Sequence, residues 1–413
     1  MNGGVRIAGP LGLPGLLLAT CLTSFAAVPA GADTRANVLV SGGLRAEANP
    51  YLGDDSSRDA IGGSVEVEPS VFFVNEISSF RITGHAQYDL LGDNVRDNQR
   101  LRVSANGNTR VDERTSLSAN AQFLTSRSYG QDVVFFGTDD LLELEEGEEP
   151  VFPEIDPTVV GTGRRITSLN LGASVAHQLS PIDGITVGVF SRFSETSGDF
   201  GRDFRTVGTN IGYGRALNER MTLRANVGVR KNDFQDREIG DSLVITPLIG
   251  VQQQISPTFS WTAQAGVSYA RIDDGLGGTI ENTGFAANFD LCRRGLLDSL
   301  CVNAGRDARP TTFGGLTTST SVGAQYSRQV SRDGRIGVTA NYRRSERIVM
   351  TEEFDDRTDE FVGVNGNYRH QFSRRFSGFI RGAYTKAFSD VFPDREANVT
   401  GYFGVSYLFG DVR

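Results

Sequence analysis

The chain has 413 residues, with 41 Lys and Arg against 50 Asp and Glu, and a formal net charge of −9. That acidic balance argues against nucleic acid as a partner. Beyond Asp33 no apolar run approaches the ~18–20 residues a membrane-spanning helix needs, so a place in a membrane would have to be taken as a β-barrel. The 49 glycines, 26 phenylalanines and 11 tyrosines, beside one tryptophan and three methionines, suit such a barrel. A mean hydropathy of −0.24 is compatible with it, because inward-facing polar residues dilute the lipid-facing ones.

The chain opens with Arg6 in a short n-region, then an apolar run from Leu11 to Val28 broken by Pro14, then Ala30-Gly31-Ala32. This pattern predicts a secretory signal peptide over residues 1–32, cleaved before Asp33. Leu18-Ala19-Thr20-Cys21 loosely resembles a lipoprotein signal, with Thr20 a poor residue before a lipidated cysteine. Residues 33–413 are expected to form one barrel domain.

From Asn37 onward one unit repeats, an alternating run followed by a connector. The strands fall near 37–49, 63–74, 79–89, 99–111, 115–126, 164–179, 184–195, 203–217, 221–232, 241–255, 258–272, 282–292, 299–306, 315–330, 335–348, 359–372, 375–388 and 397–409. The fold class predicted is therefore all-β, a transmembrane antiparallel up-and-down barrel of about eighteen strands, with sixteen as the other even count. One series of connectors is tight and rich in turn residues, as in Ser180-Pro-Ile-Asp-Gly184, Asn218-Glu-Arg220 and Ser331-Arg-Asp-Gly334. The other is longer and charged, including 50–62, 127–163, 306–314 and 349–358. Short turns at one end and long loops at the other match the periplasmic and exterior ends of outer-membrane barrels.

Each strand carries two chemistries. In 221–232 one face is Met221, Leu223, Ala225, Val227 and Val229, and the other is Thr222, Arg224, Asn226, Gly228 and Arg230. A dry core does not accept unpaired arginines, whereas a wet lumen does. Parity assigns Arg81, His85, Arg102, Arg110, Arg224, Arg230, Arg335 and Arg343 to the lumen wall. They either attract anions and hydrogen-bond saccharides, or pair with lumen carboxylates such as Asp89 and cross-link the wall.

The connector 127–163 is the most unusual, carrying Asp139, Asp140, Glu143, Glu145 and Glu146 among apolar residues. Loops of this length are functional or disordered. It stands where general porins carry their constriction loop, so one expectation is an inward fold that sets carboxylates against the arginine wall. The other is a solvated loop at the lipopolysaccharide surface. Cys292 and Cys301 share the lumen parity across a short connector. A structural disulfide between them is expected in an oxidising compartment, worth on the order of 2–3 kcal/mol. With no histidine beside them, no metal site is predicted, and the sequence calls for no cofactor. His177 and His370 fall on the lipid-facing parity near strand ends, where a girdle role is expected. No histidine has a recognisable Ser or Asp setting, so the chain reads as no enzyme.

The last strand alternates Val399, Gly401, Phe403, Val405, Tyr407 and Phe409 with smaller or more polar residues. Tyr402-x-Gly404-x-x-Tyr407-x-Phe409 resembles the C-terminal signal that bacterial outer-membrane barrels present to the barrel assembly machinery, although Gly410-Asp-Val-Arg413 follows it here. Ala46-Glu-Ala-Asn-Pro-Tyr-Leu52 and Val65-Glu-Val-Glu-Pro-Ser70 resemble outer-membrane β-barrel porins of proteobacteria found alongside exopolysaccharide export. The resemblance implies an integral protein of the Gram-negative outer membrane, reached through the periplasm and contacting lipid and lipopolysaccharide. It also implies passage of a hydrophilic solute or a polysaccharide. A plugged barrel that acts through its surface loops is the other reading.

Overall fold

The computed structural model describes residues 33–50, 59–92, 98–127, 164–197, 203–234, 241–273, 278–311, 315–348, 358–389 and 396–410. The predicted signal peptide and the acidic stretch Asp139 to Glu146 lie outside these residues. Eighteen strands alternate with connectors: β1 Asp33–Ala48, β2 Ala60–Val74, β3 Ser78–Leu91, β4 Asn98–Arg110, β5 Thr115–Arg127 and β6 Arg165–Gln178. Next come β7 Asp183–Thr196, β8 Phe204–Asn218, β9 Met221–Phe234, β10 Ser242–Ser256, β11 Phe259–Asp273 and β12 Thr279–Arg294. The series ends with β13 Asp298–Pro310, β14 Leu316–Gln329, β15 Gly334–Arg347, β16 Thr358–Gln371, β17 Phe376–Ser389 and β18 Asn398–Gly410.

Every strand pairs antiparallel with its neighbours in sequence, and β1 also pairs with β18, so the sheet closes on itself. Closure leaves no free seam between first and last strands, which is how a barrel removes its edges. At the seam Gly43 lies opposite Gly404. A Cβ on Gly43 would stand 2.1 Å from the Phe403 carbonyl oxygen, and one on Gly404 would stand 2.4 Å from that of Gly42. Only glycine lets the two backbones approach this closely.

The alternation fixes which way each side chain points. Ile61, Ile249, Ile380 and Phe403 project outward and are more than half exposed, with Ile249 at 62%. The inward face carries many polar residues, among them Ser41, Ser64, Asn365 and Thr400, all buried. An apolar exterior around a largely polar interior is the arrangement a barrel adopts in lipid. Aromatic residues mark one rim of the exterior. Tyr368 stacks on His370, His370 meets Phe372 edge-on at 5.0 Å, and Tyr407 meets Phe409 at 4.7 Å. His370 thus belongs to a girdle. His177 also stands on the outer face, where Nδ1 lies 3.0 Å from the Thr115 hydroxyl.

The short connectors gather at the end that also holds Asp33 and Gly410. Backbone bonds close them, as from Val111 N–H to the Thr115 carbonyl and from Val330 N–H to that of Gly334. One predicted connector is corrected. Residues 307–310, expected within the loop 306–314, continue β13 and pair with β14 to Pro310 opposite Leu316. Asp307-Ala-Arg-Pro310 looks like loop sequence, but the proline ends its strand, where its missing N–H costs no ladder bond. Thr311 N–H then donates to the carbonyl of Gly315, whose φ is 86°.

Candidate functional site: an arginine-walled vestibule

A cavity of about 1300 Å³ opens toward the short-turn end between β1–β6 and β14–β18. Its wall holds Arg81, His85, Arg102 and Arg335 from the predicted lumen set, joined by Arg35, Arg369 and Arg381. Arg332, Arg374 and Arg375 stand at its opening on the short turns. Against them the wall presents few acids, among them Asp33, Glu66, Glu68 and Asp333.

Register explains how the arginines come together. Arg335 on β15 lies directly opposite Arg369 on β16, and His85 on β3 lies directly opposite Arg102 on β4. Like charges placed face to face destabilise a sheet, so the Arg335 and Arg369 pair sets aside some stability for a local excess of positive charge. Arg81 spreads its guanidinium over the Phe72 ring at 4.7 Å. Arg102 reaches the Gln122 amide oxygen, with Nε at 3.1 Å once that amide is turned to satisfy both groups. His85 stands 3.5 Å from Glu68.

The vestibule ends on a buried ionic network that the parity of single strands does not reveal. Arg45 pairs with both Glu47 and Asp89. Asp89 also accepts from the Ser64 hydroxyl at 2.6 Å and the Gln87 amide at 2.8 Å, and Gln87 accepts from Arg100 at 3.0 Å. Beside it Arg381 grips both oxygens of Glu66 at 2.9 and 3.1 Å and lies over the rings of Phe379 and Tyr402. All these charged groups are nearly sealed from solvent, Asp89 and Glu66 at 1% exposure. Buried charges need partners, and here Arg45 pairs with Glu47 and Asp89 while Arg381 pairs with Glu66.

The remaining predicted lumen arginines do not join the vestibule. Arg110 lines a smaller recess at the short-turn rim. Arg224 stands between Gly214 and Gly250 in register, on a bare part of the inner wall. Arg230 binds Asp307 on β13. Arg343 donates to the Ser319 hydroxyl at 2.8 Å. The predicted arginine set therefore divides between members that share the vestibule wall and members placed elsewhere on the lumen face, of which Arg230 and Arg343 are bonded across strands. Cys292 and Cys301 face each other in register with their sulfurs bonded. Of the four residues predicted as a C-terminal signal, Tyr407 and Phe409 face outward, Gly404 sits at the seam, and Tyr402 points into the lumen, 3% exposed.

No protein family matches the chain, and no curated protein matches it by sequence. Solved structures with a similar course include the FrpB iron transporter of Neisseria meningitidis, at 9% identity and a TM-score of 0.47, over 91% of this chain and 82% of that one. A BenF-like porin of Pseudomonas fluorescens overlaps at 11% identity and 0.44, over 92% and 99%. OccK2 of Pseudomonas aeruginosa, solved with glucuronate, overlaps at 12% and 0.44, over 92% and 98%. Overlap at this level carries nothing about cargo, so a functional reading rests on the wall itself.

Proposed function

We propose that this chain is an outer-membrane channel of a Gram-negative cell, with the vestibule facing the periplasm, that selects small anionic or polyhydroxylated solutes. The observation that carries the reading is Arg335 opposite Arg369 on a wall shared with Arg81 and Arg102. Guanidinium groups crowded on a wet wall raise the local concentration of anions and offer forked donors to carboxylates and sugar hydroxyls. An exported acidic polysaccharide would meet the same groups and is the second cargo. Short turns at the vestibule end support the periplasmic orientation, and the apolar exterior supports contact with lipid and lipopolysaccharide.

A second reading, a plugged barrel that acts through its exposed surface, draws on the opposite half of the lumen. There Phe361, Asn365, Thr385 and Asn398 face inward and are fully buried. Planar bilayers under a salt gradient separate the readings. The channel should give discrete steps with an anion-directed reversal potential, and Arg335→Glu with Arg369→Glu should move that potential toward cations. Cation preference in the natural sequence would overturn the anion reading, and absence of any step would favour the plugged barrel.

A further inference from the structure

The wall of the barrel is not continuous at the end away from the short turns. The ladder between β12 and β13 stops at Ala287 opposite Arg306. Yet β13 remains paired to β14 up to Pro310 opposite Leu316, and β14 remains paired to β15 up to Thr317 opposite Arg347. Among the described residues, β12 over 279–286 has β11 on one side and no strand on the other.

Parity shows where the missing wall has gone. Ala308 and Leu316 share the outward face of β13 and β14 with Leu300 and Val322, which are 41% and 43% exposed. Instead of facing out, they are buried in one cluster with Val244, Ala270 and Ile272, which lie on the inward face of β10 and β11. Outward side chains meet inward ones only if the ends of β13 and β14 lap inside the neighbouring wall. A polar latch accompanies this apolar contact: Arg230 on β9 donates to the Asp307 carboxylate and the Ala308 carbonyl. The Thr246 hydroxyl reaches the same carboxylate at 3.4 Å.

We infer that this lapped flap is a gate at the mouth of the channel, an inference that rests on the channel reading. In the structure the flap lies against the inward face of β9, β10 and β11. In the other position β13 continues its register along β12, setting Asp307 opposite Ala286 and Ala308 opposite Phe285. Zipping would restore ladder hydrogen bonds along the edge of β12, at the cost of the apolar cluster and the Arg230 latch. Two discrete packings of one element, held apart by opposing contributions of similar kind, make a switch.

The full chain, folded into bilayers, provides the test. Asp307→Asn should raise the open fraction about tenfold, as expected from losing hydrogen bonds to a charged group. Arg230→Asp combined with Asp307→Arg should return it toward the starting value. Independently, Ala270→Cys with Ala308→Cys should cross-link on mild oxidation and abolish current until reduced. Failure of the cross-link in a folded barrel, or an open fraction unmoved by Asp307→Asn, would overturn the gate. If the cross-link forms but neither the natural chain nor any variant conducts, the gate falls together with the channel reading, and the lapped geometry alone stands.

Discussion

Cys292 and Cys301 bridge β12 and β13 with their Cα atoms 4.2 Å apart, five residue pairs below Ala287 and Arg306, where these two strands part. The covalent bond therefore pins a strand pair whose ladder is incomplete. Cys301→Ser should cost about 2–3 kcal/mol, the loop-closure entropy of so short a ring. Unfolding by urea in lipid vesicles would measure it. Hydrogen exchange should accelerate first in the β12 and β13 amides near Leu291 and Val302, since the split above has nothing left to stop it. Uniform exchange across the barrel would show that the bridge does not pin this junction.

Arg45 sits where two carboxylates converge, Glu47 on its own strand and Asp89 on β3. Arg45→Met would leave both buried without that cation. Removing one member of a buried ionic cluster costs about 3–5 kcal/mol, mostly for the charges left behind. The variant should unfold at clearly lower urea than the natural chain. Glu47→Gln together with Arg45→Met should recover part of the loss, because one of the stranded charges is then gone. No recovery would mean that the packing of the Arg45 stem matters more than its charge.

The strands were legible because their signals are local. Alternation such as Met221, Leu223, Ala225 against Thr222, Arg224, Asn226 needs no partner to be read, and neither do turns such as Ser331-Arg-Asp-Gly334. The site was less legible because it is made by register. Arg381 and Glu66 are 315 residues apart, and Arg335 meets Arg369 only because two strands align at that step. Arg45, Glu47, Glu66, Arg100, Arg369 and Arg381 all lie at inward parity, so extending the face assignment to every strand would have named them. It could not have said which of them pair. The inward lapping of β13 was hidden for another reason: it departs from barrel periodicity, and a periodic signal cannot announce its own interruption.

Ile249 tests the lipid-facing exterior. It lies on the outer face of β10 in register with Ala225 and Ala265, and is 62% exposed. In a membrane, Ile249→Arg should cost about 2–4 kcal/mol if the position is near the bilayer midplane. On a water-facing surface the same change would fall within about 0.5 kcal/mol. Unfolding from vesicles distinguishes the two outcomes.

Asp112, in the turn between β4 and β5, gives a pH-dependent signal. The Arg114 backbone N–H, and then the Thr115 hydroxyl, hold its carboxyl below the ordinary value of 3.8. A depressed folded value stabilises the turn above the unfolded value and loses that contribution as pH falls through the folded one. Titration of the Asp112 carboxyl carbon by NMR should therefore show its midpoint below 3.8. In Thr115→Val the midpoint should rise, and an unshifted midpoint in that variant would discount the hydroxyl.

Tyr402 and Phe409 belong to the same C-terminal strand but should fail differently when altered. Phe409 faces outward with Tyr407 at the rim, where assembly machinery could read it. Tyr402 faces inward, edge-on to Phe379 at 4.8 Å and beneath the Arg381 guanidinium. Phe409→Ala should lower the yield of assembled barrel in cells while leaving the unfolding midpoint of the assembled fraction nearly unchanged. Tyr402→Ala empties a buried aromatic site and should destabilise the assembled barrel by about 3–5 kcal/mol, with the loss visible in vesicles made from purified protein. Gly404→Ala should impair both, because a Cβ there meets the Gly42 carbonyl oxygen across the closing seam. Equal assembly defects in Phe409→Ala and Tyr402→Ala, with equal stability once assembled, would show that recognition ignores which way the ring points.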